Sequence, residues 1–252
     1  VLLLSRGGQV VAKNNWGDTP LHLAARTGSV LLLRRLMEGD GACLLDADSQ
    51  GETLTSICVA EGHLQPLRFL LKKGAPAPAH LLHTAARTGR ADMVRALLKV
   101  GLQKNAKDPA GLTAVHVAVD HGHVDVVLAL AQARADLDRV DAHGLSPILR
   151  ASQAGQLRVL EVLAQAGADT TATSPRGLTA IHFAALGAHV DCLHFLTRQP
   201  QQLLTVLNDA AVPTPAELAA QAGHLSTVKL LVYCTSALNA DPHPLIARCH
   251  TA

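Results

Sequence analysis

The 252 residues carry 22 Lys and Arg against 20 Asp and Glu, a net charge of +2, and are 48% hydrophobic but only 2% aromatic. Three Phe, one Trp and one Tyr cannot fill the core of a sandwich or barrel, so Leu, Val and Ala must do the packing, which suits closely spaced helices. Lys and Arg scattered along a nearly neutral chain predict no strong field for nucleic acid or an anionic membrane, and no apolar run approaches the roughly 18 residues that span a bilayer. Val1–Leu4 is too short for a signal segment, and the chain reads as soluble. Five Cys, at 43, 58, 192, 234 and 249, form no C-x-x-C pair, which argues against a disulfide framework or a zinc knuckle. The expected setting is therefore reducing: cytosol or nucleus.

Taken in chain order, the elements repeat. Val1-Leu-Leu-Leu-Ser-Arg-Gly-Gly-Gln-Val10 reads as the end of a preceding unit, about 1–13. Gly17-Asp-Thr-Pro-Leu-His-Leu-Ala-Ala25 then opens a unit over 14–46, and Gly51 begins its counterpart in 47–78. A shortened unit follows over 79–105. Gly111-Leu-Thr-Ala-Val-His-Val-Ala-Val119 opens 106–138, Gly144-Leu-Ser-Pro-Ile-Leu-Arg-Ala-Ser152 opens 139–171, and Gly177-Leu-Thr-Ala-Ile-His-Phe-Ala-Ala185 opens 172–207. Thr214-Pro-Ala-Glu217 opens 208–240, and His243-Pro-Leu-Ile-Ala247 starts a last partial unit, 241–252. A second marker keeps the same step: Gly28, Gly62, Gly89, Gly122, Gly155, Ala188 and Gly223 are 34, 27, 33, 33, 33 and 35 residues apart. Seven units are predicted.

These residues resemble the ankyrin repeat, with its G-x-T-P-L-H-x-A-A opening, a Gly-His about six residues on, and a closing L-L-x-x-G-A-D. Thr19-Pro20-Leu21-His22 and the closings Leu70-Leu71-Lys-Lys-Gly74-Ala75 and Leu163-Ala-Gln-Ala-Gly167-Ala168-Asp169 carry the likeness, and His80-Leu-Leu-His83 is a weaker copy. The resemblance implies an all-α solenoid of stacked helix-turn-helix units with short β-hairpin fingers, forming one domain over 1–252. Local chemistry agrees. Thr caps free amides, Pro suits the first helical turn, and Gly stops the helix. A hairpin of about 33 residues cannot bury both of its faces, so neighbours must stack. Two departures stand out. Six residues are missing between Gly74 and His83, where Ala75-Pro-Ala-Pro-Ala79 replaces a finger and leaves a notch. The end segments lack polar caps, so the chain is expected to be a piece of a longer protein.

Catalytic signals are absent: no G-x-S-x-G, H-E-x-x-H or P-loop occurs, and Gly39-Asp-Gly41-Ala-Cys-Leu44 is an incomplete dinucleotide fingerprint. Neither an enzyme nor a cofactor or small-molecule substrate is expected. Eight of the fourteen His are structural by register: His22, His83, His116 and His182 inside the first helix, and His63, His123, His189 and His224 after the inter-helix turn. His121 and His143 come onto one side of neighbouring units, which suits a polar patch better than a metal site.

The resemblance implies that partner choice lies in the fingers and at the ends of the inner helices. By register these positions hold Trp16, Asp18, Glu52, Leu112, His143, Leu145, Arg176 and Leu178 on the fingers, and Arg26, Glu61, Arg87, Asp120, His121, Gln153 and Leu186 on the helices. Leu112, Leu145 and Leu178 share one register and would form an apolar rail at roughly 10 Å intervals. The rail either docks a peptide or packs each finger onto its own helix. Trp16 either anchors a partner or covers the apolar flank of the first unit. Asn105, with Leu97 eight residues before it, resembles the substrate pattern of the asparaginyl hydroxylase that acts on ankyrin proteins. The expected function is a non-catalytic scaffold for a protein or peptide. The alternatives are an inhibitor-like nuclear regulator of a Rel-type transcription factor and a substrate-recruiting adaptor of a ubiquitin ligase. A remoter one is nucleic-acid binding through Lys72, Lys73, Lys99, Lys104 and Lys107, which as solvated helix ends are better explained by the negative end of the helix dipole. Membrane insertion is not expected.

Overall fold

A computed structural model describes residues 12–38, 43–198 and 212–240. The segment Val1–Val10, the last partial unit and Cys249 lie outside these residues. The chain makes two compact units, Val1–Ala106 and Lys107–Ala252. In the first are α1 (Pro20–Arg26), α2 (Val30–Met37), α3 (Leu54–Glu61), α4 (Leu64–Lys72), α5 (His80–Arg87) and α6 (Ala91–Lys99). In the second are α7 (Ala114–Asp120), α8 (Val124–Gln132), α9 (Pro147–Gln153), α10 (Leu157–Gln165), α11 (Ala180–Leu186), α12 (Val190–Thr197), α13 (Pro215–Gln221) and α14 (Leu225–Ala240). Inside each unit the first helix of every pair packs on the first helix of the next, α1 on α3 on α5 and α7 on α9 on α11 on α13. The second helices form an outer layer, α2–α4–α6 and α8–α10–α12.

Side-chain size decides which helix goes inside. Ala24, Ala25, Ala85 and Ala86 in the first unit, and Ala118, Ala151, Ala184 and Ala185 in the second, are fully buried and let the inner helices approach closely. Larger residues, among them Leu33, Leu67, Met93, Leu130 and Leu163, fill the space between the two layers. Five of the inner helices start from a threonine, and in three of them histidine reinforces it: in α1, α7 and α11 the His three residues on returns a bond to the backbone of Thr19, Thr113 or Thr179, a capping box built with imidazole. Where Leu149 takes the histidine position, Ser146 Oγ is buried with no partner among the described residues.

The fingers are tighter than the expected β-hairpins. Among the described residues there is no sheet, and only two isolated antiparallel bridges, Ala47 with Thr53 and Thr173 with Thr179. An Asx turn takes the place of a ladder. Three residues before each finger glycine, Asn14, Asp48, Asp108 and Asp141 each accept two backbone N–H groups through Oδ1, at 2.7–2.9 Å. One side chain thus satisfies donors that a hairpin would have paired across strands. Ser174 occupies the same place in the next finger, but its single hydroxyl accepts only from Leu178 N–H, at 3.1 Å. Between α4 and α5 there is no finger. Pro76 instead offers its carbonyl to Thr55 Oγ1 at 2.7 Å, which ties the shortened loop to the inner helix before it.

Successive pairs are also locked at the turn between helices. His63 Nε2 donates to the Arg26 carbonyl (2.9 Å), His189 Nε2 to Gln153 (3.1 Å) and His224 Nε2 to Leu186 (3.1 Å), each reaching back to the preceding pair. The ring needs a floor without a Cβ. A methyl added at Gly28 would lie 2.6 Å from His63 Nδ1, and one at Gly155 would overlap the His189 ring.

Two substitutions test these locks. Gly155 and Gly167 both have positive φ, 68° and 89°, but nothing lies within 4 Å of a Cβ at Gly167. Gly167→Ala should cost only the left-handed strain, about 1 kcal/mol, whereas Gly155→Ala adds the displaced histidine and its lost bond, for about 2–3 kcal/mol in urea melts. Equal losses would refute the floor. Ser174→Asn should restore the second turn bond and raise the melting temperature by about 2–4 °C.

Candidate binding surface

A residue can serve a partner only if the fold leaves its side chain free, and the nominated positions divide on that criterion. Trp16 is 69% exposed at the first fingertip, while its backbone is held on both sides: its N–H donates to Asn14 Oδ1 (2.9 Å) and its carbonyl accepts from Ser49 N–H (3.2 Å). Glu61 and Arg87 are exposed at the ends of α3 and α5, and Glu52 is half-buried. In the second unit His121, His143, Gln153, Arg176 and Leu186 are exposed, whereas Leu112, Leu145 and Leu178 are half-buried. The rail is therefore neither sealed nor fully presented, and the Leu145 carbonyl has a structural task of its own, accepting from His116 Nε2 at 3.2 Å. Asn105 is half-buried and engaged in bonding.

Three nominated charges are used internally. Asp18, expected on the surface, is only 7% exposed and accepts from Asn14 and Arg26; a carboxylate beside the finger glycine faces its own turn. Arg26 reaches from Asp18 (3.5 Å) to Asp48 of the next pair (3.4 Å). Asp120 is matched by Arg150, whose Nη1 meets both of its carboxylate oxygens at 2.6 Å while Nε donates to Asp141 at 2.7 Å. Register alone could not reveal these ties. The missed signal was the acid three residues before the finger glycine, Asp48 and Asp141, which invites a cation that bridges to an adjacent pair.

Burial would raise the Asp141 carboxyl, but the Leu145 and His143 N–H groups and Arg150 outweigh it and hold the group below the usual range. Arg150 in turn resists deprotonation: burial disfavours its charge, and Asp120 and Asp141 more than restore it. His116 moves the other way. Thr113 N–H donates to Nδ1 (3.2 Å), which leaves the ring proton on Nε2 to bond the Leu145 carbonyl. Burial, aided by the Arg150 charge, lowers its pKa despite the Leu145 bond and the carboxylates of Asp141 and Asp120.

His121 Nδ1 donates to the Val117 carbonyl (2.9 Å), and its ring stacks on His123 with centroids 5.9 Å apart. Among the described residues no three His, Cys, Asp or Glu side chains gather to hold a metal, and no helix is long and apolar enough to cross a membrane. Burial pushes the Cys58 thiol up to about 12. It also raises Cys192, with the charges of Asp191 and Glu161, to about 11, so neither offers a thiolate nucleophile near neutrality.

A family model for ankyrin repeats matches the chain in three copies, over residues 1–80, 77–141 and 148–243. Over 110 residues the chain is 33% identical to the E3 ubiquitin-protein ligase KEG of Arabidopsis thaliana, covering 40% of this chain and 7% of that protein. It is 31% identical over 110 residues to a Transient receptor potential cation channel subfamily A member 1 homolog of Caenorhabditis elegans, covering 42% and 9%. The chain thus spans less than a tenth of either relative's length.

The histidine lock between α7 and the following finger titrates with a definite sign. Because the His116 value is depressed from 6.5 in the folded state, the unfolded chain takes the proton first; stability is full above that pH, falls below it, and levels off under the folded value. His116→Gln should lower the melting temperature at about pH 7.5, and the gap to wild type should narrow as the pH falls toward about 5. A gap that stays constant would show that the ring is not held neutral.

Proposed function

The chain belongs to the ankyrin-repeat family, and we propose that it acts as a non-catalytic scaffold holding a peptide or protein against its fingertips and the ends of its inner helices. Ankyrin repeats are protein-interaction modules, which supports the general role. The observation that carries the finer reading is the split treatment of Trp16, with its backbone pinned at both polar atoms while the residue stays 69% exposed. Ordering the anchor is largely completed by folding, so a partner loses little entropy in meeting it, and a buried indole is a favoured interface anchor.

The same division recurs in the second unit. Gln153 and Leu186 have their carbonyls held by His189 and His224, and Asp141 holds the His143 N–H, yet all three side chains are exposed. Positions with a fixed backbone and a free side chain can be varied without disturbing stacking. The half-buried leucines at 112, 145 and 178 lie beside these positions in sequence register and supply the apolar component. A Rel-homology domain is one defined partner to try, and a ligase substrate another; neither is favoured by a particular contact.

Trp16 is the sole tryptophan, so its fluorescence reports directly on this reading. A bound partner should shift its emission to shorter wavelength. Trp16→Ala should weaken binding by about tenfold to a hundredfold and leave the melting temperature within about 2 °C of wild type. Capture of the same proteins at the same yield by wild type, by Trp16→Ala and by the combined Leu112→Ser, Leu145→Ser and Leu178→Ser variant would sink the proposal for both surfaces.

A further inference from the structure

The two units differ in charge. Residues 1–106 hold thirteen Lys and Arg against eight Asp and Glu, a net of +5, and the remainder hold nine against twelve, a net of −3. The positive charges look dispersed in the linear sequence, but the outer layer of the first unit gathers them. Counting five residues from each N-cap, Ser29, His63 and Arg90, gives Arg34, Arg68 and Arg95 in one register on α2, α4 and α6. These helices are adjacent in the outer layer, and packed helices are roughly 8–10 Å apart. One turn further on stand Lys72 and Lys99, with Glu38 in the matching place on α2. The five cations are exposed, and none has an ion pair or side-chain hydrogen bond among the described residues.

Helix dipoles account for Lys72, Lys99 and Arg34, which lie in last turns, but not for Arg68 and Arg95, which do not. Stacking does not account for them either, since their side chains point to solvent. In the second unit the same register reads Leu128, Glu161, His194 and Lys229, so the arginine ladder is confined to the first. Unpaired guanidinium groups at regular spacing suit phosphate, which their planar fork can bind through two parallel bonds.

The geometry points to this outer face of α2, α4 and α6 as a docking surface for the phosphate-bearing headgroups of an anionic membrane, bound peripherally. Three features favour a lipid surface over a nucleic acid. The cations spread over two rows on three helices instead of following one backbone track. Leu31, 69% exposed, and Val100, 51% exposed, provide apolar contacts at the ends of the patch. No exposed aromatic ring is present on these helices for a base to stack on. The reading is independent of the proposed protein-binding role, which uses the opposite layer of helices and the fingers.

The test is flotation of the whole chain with vesicles of phosphatidylcholine, alone or with about a third phosphatidylserine, at several salt concentrations. Wild type should float with the anionic vesicles only and detach as salt rises. The combined Arg34→Gln, Arg68→Gln and Arg95→Gln variant should bind about a hundredfold more weakly, at about one kilocalorie per mole for each cation. A control with Lys13→Gln, Arg134→Gln and Arg158→Gln, which loses the same net charge elsewhere, should bind nearly as well as wild type. Thermal melts confirm that both variants fold. Failure of wild type to float, equal loss in the two variants, or tighter binding to a duplex oligonucleotide than to the vesicles would each overturn the assignment.

Discussion

Among the described residues, buried polar groups of one helix pair repeatedly find their partners in the next, and the architecture follows from that debt to a neighbour. The His116 ring proton is accepted by the Leu145 carbonyl, one pair later, and the Arg26 carbonyl accepts from His63 Nε2. Buried Asp48 and Asp141 receive cations that also reach to an adjacent pair. Leaving any of these groups unmet inside the stack would cost on the order of 1–3 kcal/mol, more for a charge, so an isolated pair is unfavourable twice over: its apolar face stays wet and its polar groups stay unpaired. The polar ties add what burial of Leu and Ala cannot, because an apolar face tolerates sliding while a hydrogen bond to one carbonyl fixes register.

That division of labour explains which features were legible in the sequence. The repeat step, the Thr caps, the inner helices rich in Ala and the two histidine registers follow from local chemistry that acts within a few residues, and each recurs often enough to be read. The shortened loop at 75–79 was legible for the same reason, since proline withdraws a donor. Asp18 was misread because one residue type, a carboxylate beside a glycine, suits both an exposed tip and a turn that folds back on its own side chain. The Arg150 tie to Asp120 was hidden because its partner lies 30 residues away in the chain. Tips of hairpins proved to be Asx turns; the acids three residues before Gly51, Gly111 and Gly144 were visible, but their meaning depends on where two N–H groups point.

Internal repetition lets the molecule serve as its own control. The position after the inter-helix turn is His63, His123, His189 or His224 in four pairs, Ser29 in the first, and Arg90 or Gln156 in the remaining two, where the longer side chain lies over Gly62 or Gly122 of the preceding pair. Histidine recurs there because its ring must meet a neighbouring pair, as at Gly28 and Gly155. Five residues into the outer helix no neighbour constrains the side chain, and the residue varies from Arg to Leu, Glu, His and Lys along the chain. Threefold recurrence of Arg at an unconstrained position therefore carries more weight than recurrence of His at a constrained one.

The same reasoning separates the surfaces. On the inner side the fold fixes the backbone and releases the side chain, as at Trp16, Gln153 and Leu186, so recognition there can be specific and cost little in ordering. On the outer side of α2, α4 and α6 the arginines have no fixing bonds, and their long side chains can adapt to a partner whose charges are themselves mobile. A rigid, shaped surface suits a folded or peptide ligand. A yielding, charged one suits a fluid layer of headgroups, and because within the first unit the fingertip at Trp16 and the outer layer of α2, α4 and α6 are separate surfaces, neither use obstructs the other.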